Sequence, residues 1–171
     1  LGINEKKNII SGHEISLGDV ILGLPSSGFH SNGFSLINSV IAQHNVSDDF
    51  LKQLLTPTRI YVNEVLNLIN KCNVKGMAHI TGGGLHENLS RLTSDYTMSI
   101  NKDSWEVPII FSTLQKLGNI SFDEMLNVFN CGIGYCIVLD RENADLAMSI
   151  NKELFEIGHV GAKSDQSLVF V

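Results

Sequence analysis

The run Ser26-Ser27-Gly28-Phe29-His30-Ser31-Asn32-Gly33 packs several kinds of hydrogen-bonding chemistry into eight residues. Ser26, Ser27 and Ser31 bring hydroxyls, Asn32 an amide, and His30 a ring that can donate, accept or carry a proton. The run follows the apolar stretch Val20–Leu24, so its polar groups emerge at a strand end. A second segment repeats the plan. Met77–Ile80 is apolar, Thr81-Gly82-Gly83-Gly84 breaks it, and Leu85, His86, Glu87 and Asn88 open what reads as a short helix. A strand, a small-residue loop and a helix start together aim unpaired N–H groups over a sheet edge, where phosphate or carboxylate is the natural ligand. Glycine lets the backbone come close to it. Neither loop is a Walker phosphate loop or a dinucleotide fingerprint. On spacing alone, the first also reads as an Asn-Gly turn with capping serines, and the second as a flexible turn.

The other candidates are weaker. His79 lies within an apolar run and is expected to be a hydrogen-bonded core histidine, although it stands two residues before the glycines. His79 and His86 are not spaced as a zinc pair, and no protein-bound metal is expected on this chain. Glu87 in a first helical turn could complement the helix dipole, bind Mg²⁺ or hold a substrate amine; the residues leave these open. The single tryptophan, Trp105, is expected to pack. Cys72, Cys131 and Cys136 are odd in number and lack C-x-x-C spacing, which argues against a disulfide framework. A net charge of -6 and no basic, aromatic-rich stretch predict neither nucleic-acid nor anionic-membrane partners. No apolar run approaches the roughly 18 residues of a membrane span, and no signal-peptide pattern opens the chain. The expected setting is cytoplasmic. The start at Leu1 leads us to expect further sequence upstream.

The elements that must position these residues follow from pattern. Gly18-Asp19 predicts a turn pairing Ile15–Leu17 with Val20–Leu24 as strands. Helices are expected over Phe34–Ile41, over residues 58–72 with Tyr61, Val65, Leu68, Ile69 and Cys72 on one face, and over residues 85–92. Further helices are expected at Pro108–Leu117, at residues 122–129 behind a Ser121–Glu124 capping box, and at Glu142–Leu154. Met77–Ile80, Gly132–Leu139, Phe155–Val160 and Leu168–Val171 read as strands. Strands and helices interleave without a strict βαβ rhythm. The predicted class is α+β, a mixed β-sheet covered by helices.

Four segments, in order, carry a resemblance. Gly18–Leu24 with Ser26–Ser35, then Leu55-Thr56-Pro57-Thr58-Arg59-Ile60-Tyr61, then His79–Asn88, then Phe129-Asn130-Cys131-Gly132-Ile133-Gly134-Tyr135 are similar to the signatures of the phosphoribosylformylglycinamidine cyclo-ligase (aminoimidazole ribonucleotide synthetase) family, in its C-terminal domain. The departures are Pro25 before the serines and Tyr135 where a methionine-like residue is usual. The resemblance implies residues 1–16 as a lead-in from an upstream ATP-binding domain and 17–171 as a single C-terminal domain. It implies ring closure of formylglycinamidine ribonucleotide at the expense of ATP, with ATP and Mg²⁺ held mainly by the N-terminal half, and a homodimer for the intact enzyme. Ser26, Ser27, Gly28, Ser31, Asn32, Gly33, Thr81, Gly82, Gly83, Gly84, Glu87 and Asn88 are then expected to line the substrate and phosphate wall. His30 is expected to transfer a proton or stabilise charge, and the fragment alone to be inactive. The alternatives are an ATP-dependent relative of the selenophosphate synthetase or thiamine-monophosphate kinase type, or a non-catalytic anion-binding module.

Overall fold

The strand Val20–Pro25 (β1) alternates its side chains between two cores. Ile21 enters one, while Val20, Leu22 and Leu24 enter the other. That requires cover on both faces, and the computed structural model, which describes residue 5 and residues 9–171, supplies it. The further strands are Gly76–His79 (β2), Thr97–Ile100 (β3), Ile133–Leu139 (β4), Phe155–Gly161 (β5) and Leu168–Phe170 (β6). They form one sheet in the order β2-β4-β1-β5-β3-β6. Neighbours are antiparallel except β3 and β6, so the sheet is mixed, as the sequence predicts.

The larger core lies under helices Phe34–Ile41 (α1), Asp48–Leu54 (α2), Gly84–Ser90 (α4), Ile109–Gly118 (α5) and Phe122–Val128 (α6). Ile37, Phe50, Leu85, Phe111 and Leu126 are their buried contributions. Helices Val62–Ile69 (α3) and Arg141–Ile150 (α7) cover the other face through Val65, Leu68, Ala144 and Ala147. Each fully buried large aliphatic or aromatic side chain is worth about 1.5–3 kcal/mol, so both layers contribute substantially.

Several boundaries differ from the sequence expectation. Ile15–Leu17 is not a strand. Buried Asp19 organises a turn instead, accepting from Ser16 N at 2.8 Å and pairing with Lys75 Nζ at 2.7 Å. The helix expected over residues 58–72 begins only at Val62, because Arg59 and Tyr61 reach back to the Pro25 carbonyl from an irregular segment. The helix expected to end at Leu154 stops at Ile150. Helix α2, capped by Ser47, and strand β3 are additions.

The register places one set of loops together. His79 and Pro25 pair with Tyr135 and Ile133 at the start of β4, Gly23 with Phe155 at the start of β5, and Ile100 with Gly158. The loops after β1, β2 and β3 and the loop before β4 therefore emerge at the same end of the sheet.

Candidate functional site

The first loop contains a strained turn. Asn32 N donates to Phe29 O at 3.2 Å, and the two residues between, His30 and Ser31, have φ of 53° and 59°. Neither is glycine, and each such residue costs about 1–3 kcal/mol and persists only where its surroundings impose it. Here they do. Phe29 is buried with its ring 4.4 Å from that of Phe111 and 5.0 Å from that of Phe129. The Asn32 amide donates to His30 O at 2.6 Å, and Ser27 Oγ donates to Pro57 O at 2.7 Å. Gly33, at φ 72°, begins α1 with the Phe129 ring where a side chain would lie.

The segment Phe129–Gly132 fastens this loop to the second one. Buried Asn130 donates from Nδ2 to Gly28 O at 2.8 Å and accepts from Gly132 N at 2.9 Å. Ser26 N donates to Gly132 O at 2.8 Å. On the other side, Gly84 at φ 57° lies against the carbonyls of Leu126 and Phe129, so even a methyl group would meet backbone there. Sequence reasoning assigned Asn130 no role in the site. Its signal was a lone amide in an otherwise apolar run.

The second loop comes up beside the first. A Cβ on Gly82 would lie 3.6 Å from Asn32 Oδ1. Asn88 is buried and donates to Gly82 O at 3.1 Å and Gly84 O at 2.8 Å, so it shapes the glycine run from within. Thr81 is half-buried, and Glu87 is exposed and paired with Arg91 one turn along α4. Among the described residues, the N–H groups of Ser31, Gly33, Gly82 and Gly83 have no acceptor.

His79 is not the core histidine expected. It stands exposed on the edge strand β2, in a cluster with His30, Tyr61 and Tyr135 whose ring centroids lie 5.3–6.0 Å apart. Tyr61 donates to Pro25 O at 2.8 Å, and the Arg59 guanidinium sits 5.2 Å above its ring while pairing with Glu64 and Glu153. In the sequence Tyr61 stands as a helix-face residue and as the end of the Leu55–Tyr61 signature, and its tie to the loop depends on tertiary packing.

His30 itself is buried, and its Nε2 accepts from Ser27 N at 3.1 Å. The neutral ring therefore carries its proton on Nδ1, which has no partner. Burial, with help from the nearby His79 ring and Arg59, holds its pKa down at about 4, against an ordinary 6.5. At pH 7 it is a neutral donor. As pH falls through 6.5 the unfolded chain takes up a proton here that the folded chain does not bind until about 4. Stability from this residue is thus complete above about pH 6.5 and declines toward pH 4, by about 2 kcal/mol at pH 5. Urea unfolding at pH 7 and pH 5 checks this: His30→Gln should lose about 2 kcal/mol less between the two than the parent chain.

No group of three or more His, Cys, Asp or Glu side chains that could hold a metal ion is present among the described residues. Cys72, Cys131 and Cys136 are buried free thiols, and burial pushes Cys131 up to about 12. No helix among the described residues is long and apolar enough to cross a membrane.

The family profile and the sequence relatives agree on one family. The profile described as AIR synthase related protein, C-terminal domain, matches residues 17–171. A phosphoribosylformylglycinamidine cyclo-ligase of Citrifermentans bemidjiense is 45% identical over 96% of this chain and 51% of its own length. The cyclo-ligase of Clostridium perfringens is 45% identical over 95% of this chain and 51% of its own. The chain thus spans about half the length of these relatives. Among solved structures, hydrogenase maturation protein HypE in complex with ATP matches with a TM-score of 0.68 at 19% identity, over 94% of this chain and 49% of its own, which speaks to the fold alone. With its length from Leu17 onward matched by the family profile and a relative 45% identical over 96% of its residues, the chain belongs to the AIR synthase related family through that family's C-terminal domain.

Proposed function

We propose that this chain is the C-terminal half of a phosphoribosylformylglycinamidine cyclo-ligase. With an N-terminal half it converts formylglycinamidine ribonucleotide and ATP to aminoimidazole ribonucleotide, ADP and phosphate. The observation that carries this reading is the identity of 45% to proteins of that name, sustained over 96% of the chain. The likeness to HypE supports a shared architecture and leaves the substrate to be argued from the relatives.

The chemistry needs two things of a protein wall. The formyl amide oxygen is a poor leaving group until ATP phosphorylates it. The amidine nitrogen of the same molecule then attacks that carbon, a C–N bond forms, the C–O bond breaks, and phosphate departs while the nitrogen loses its proton. Holding both ends of one molecule makes closure effectively unimolecular, an advantage that reaches several kcal/mol in well-aligned cases. In this reading the N–H groups of Ser31, Gly33, Gly82 and Gly83, with the Ser31 hydroxyl, the Asn32 amide and Thr81, bind phosphate and substrate oxygens as fixed donors. His30 contributes a neutral N–H from Nδ1. Ser27, Gly28, Gly84 and Asn88 hold the loops in shape, and Glu87 stands at the rim. ATP and Mg²⁺ are placed mainly on the N-terminal half, the intact enzyme is a homodimer, and this half alone does not turn over.

The test uses the two-domain protein with ATP and substrate carrying ¹⁸O in the formyl group. The expected result is aminoimidazole ribonucleotide and one ¹⁸O in each released phosphate. Absence of ring-closed product, or unlabelled phosphate, would refute the reading.

A further inference from the structure

On the other flank of Ser26 lies a notch that the proposed wall does not use. Pro25, Ser26, Trp105, Pro108, Gly132 and Phe155 line a cavity of about 320 Å³, with Glu106 also on its lining. It opens at the same end of the sheet as both loops, because it is made from the end of β1, the start of β5 and the segment after β3.

Trp105 does more than fill space. Its Nε1 donates to Cys131 O at 2.9 Å, which fixes the plane of the indole while the residue stays only half-buried. Gly132 leaves no gap beneath: a Cβ there would come within 2.6 Å of Pro108 Cδ and 3.6 Å of Trp105 Cδ1. Most of the lining is apolar, and the hydroxyl of Ser104, also on it, is taken up by Asn101 O at 2.7 Å. Two polar groups have no such partner. Ser26 Oγ is buried without a hydrogen-bond partner, and such an atom in a native fold calls for an explanation. Glu106 is exposed and joins no ion pair among the described residues.

A tryptophan, a carboxylate outside any described ion pair and an unpartnered hydroxyl on one lining select for a planar, delocalised cation. The indole attracts positive charge over its face, Glu106 pairs with it, and Ser26 Oγ accepts one of its N–H groups. An anion would face Glu106, and a purely apolar group would leave Ser26 Oγ unsatisfied. We propose that this notch binds an amidinium-type group. Resting on the function proposed above, that group is the amidine of the substrate, held beside the phosphate-binding loop through their shared residue, Ser26.

The single tryptophan gives one indole N–H signal in a ¹H–¹⁵N spectrum, a readout independent of turnover. The 171-residue chain is titrated with acetamidinium chloride, with acetamide and sodium chloride as neutral and ionic-strength controls. The expected result is a saturable shift of the indole signal with acetamidinium alone, and about fivefold or more weaker binding in Glu106→Gln. No saturable shift, an equal shift with acetamide, or unchanged affinity in Glu106→Gln would overturn the proposal. The two readings fail separately. Ring closure with ¹⁸O transfer but no acetamidinium response removes the notch and leaves the function, and the reverse pattern removes the function and leaves the notch.

Discussion

Asn130→Ala is expected to lower the stability of the chain by about 3 kcal/mol, because two buried backbone groups lose their partners at once. Gly28 O loses the Asn130 amide at 2.8 Å, and Gly132 N loses the Asn130 oxygen at 2.9 Å. Asn130 is 2% exposed, so water does not readily replace either bond. Each abandoned group costs about 1–3 kcal/mol, and the cavity left by the amide adds to it. In thermal unfolding this corresponds to a drop of roughly 10 °C for a domain of this size. Asn130→Asp, which keeps an oxygen for Gly132 N and loses the donor to Gly28 O, should fall between. A melting point within about 2 °C of the parent would show that the loop is held by something other than this clamp.

That clamp also marks where sequence reading stopped. The amphipathic or capped segments were legible because their determinants are local. Phe34–Ile41 is a helix as expected, and Ser121 Oγ caps α6 through Glu124 N at 3.2 Å. The expected strand at Gly132–Leu139 is β4, one residue shorter at its start. The same kind of signal was present and unread in Ser47-Asp48-Asp49-Phe50, where Ser47 Oγ accepts from Phe50 N and opens α2. Strand β3 is harder: four residues, Thr-Met-Ser-Ile, buried on both faces, show no alternation of exposed and buried positions to read.

Errors at the site have one physical source. His79 belongs to an apolar run, and only the sheet order, which puts β2 at an edge, turns its side chain out toward His30, Tyr61 and Tyr135. The start of α3 slips from residue 58 to Val62 because Arg59 and Tyr61 are drawn to Pro25, more than thirty residues away in sequence. Asn130 reaches Gly28 across a separation of 102 residues. Spacing rules concern neighbours along the chain, and these contacts are not neighbours. The glycine-rich loops could be found from sequence because their chemistry is compact; Phe129–Tyr135 stood out by resemblance alone, and its role in fastening them is visible only in the fold.

Asn32→Ala carries the largest functional effect expected. The Asn32 amide holds His30 O at 2.6 Å and so stabilises two consecutive positive-φ residues, and its oxygen faces Gly82 of the second loop. Removing it leaves the buried aromatic anchor Phe29 in place, so the fold should lose only about 1 kcal/mol. The turn above it relaxes, and the donors of Ser31 and Gly33 lose their fixed direction. Preorganised donors are worth about 10²-fold in rate when one is removed, so turnover should fall by roughly tenfold to a hundredfold.

In the proposed function these two loops form the substrate wall of a two-domain cyclo-ligase. The most direct measurement is steady-state formation of aminoimidazole ribonucleotide by the intact Asn32→Ala protein beside its parent, each with its melting point recorded. The expected result is turnover at least about tenfold lower with a melting point within a few degrees of the parent. Parental turnover in a fully folded Asn32→Ala protein would contradict it.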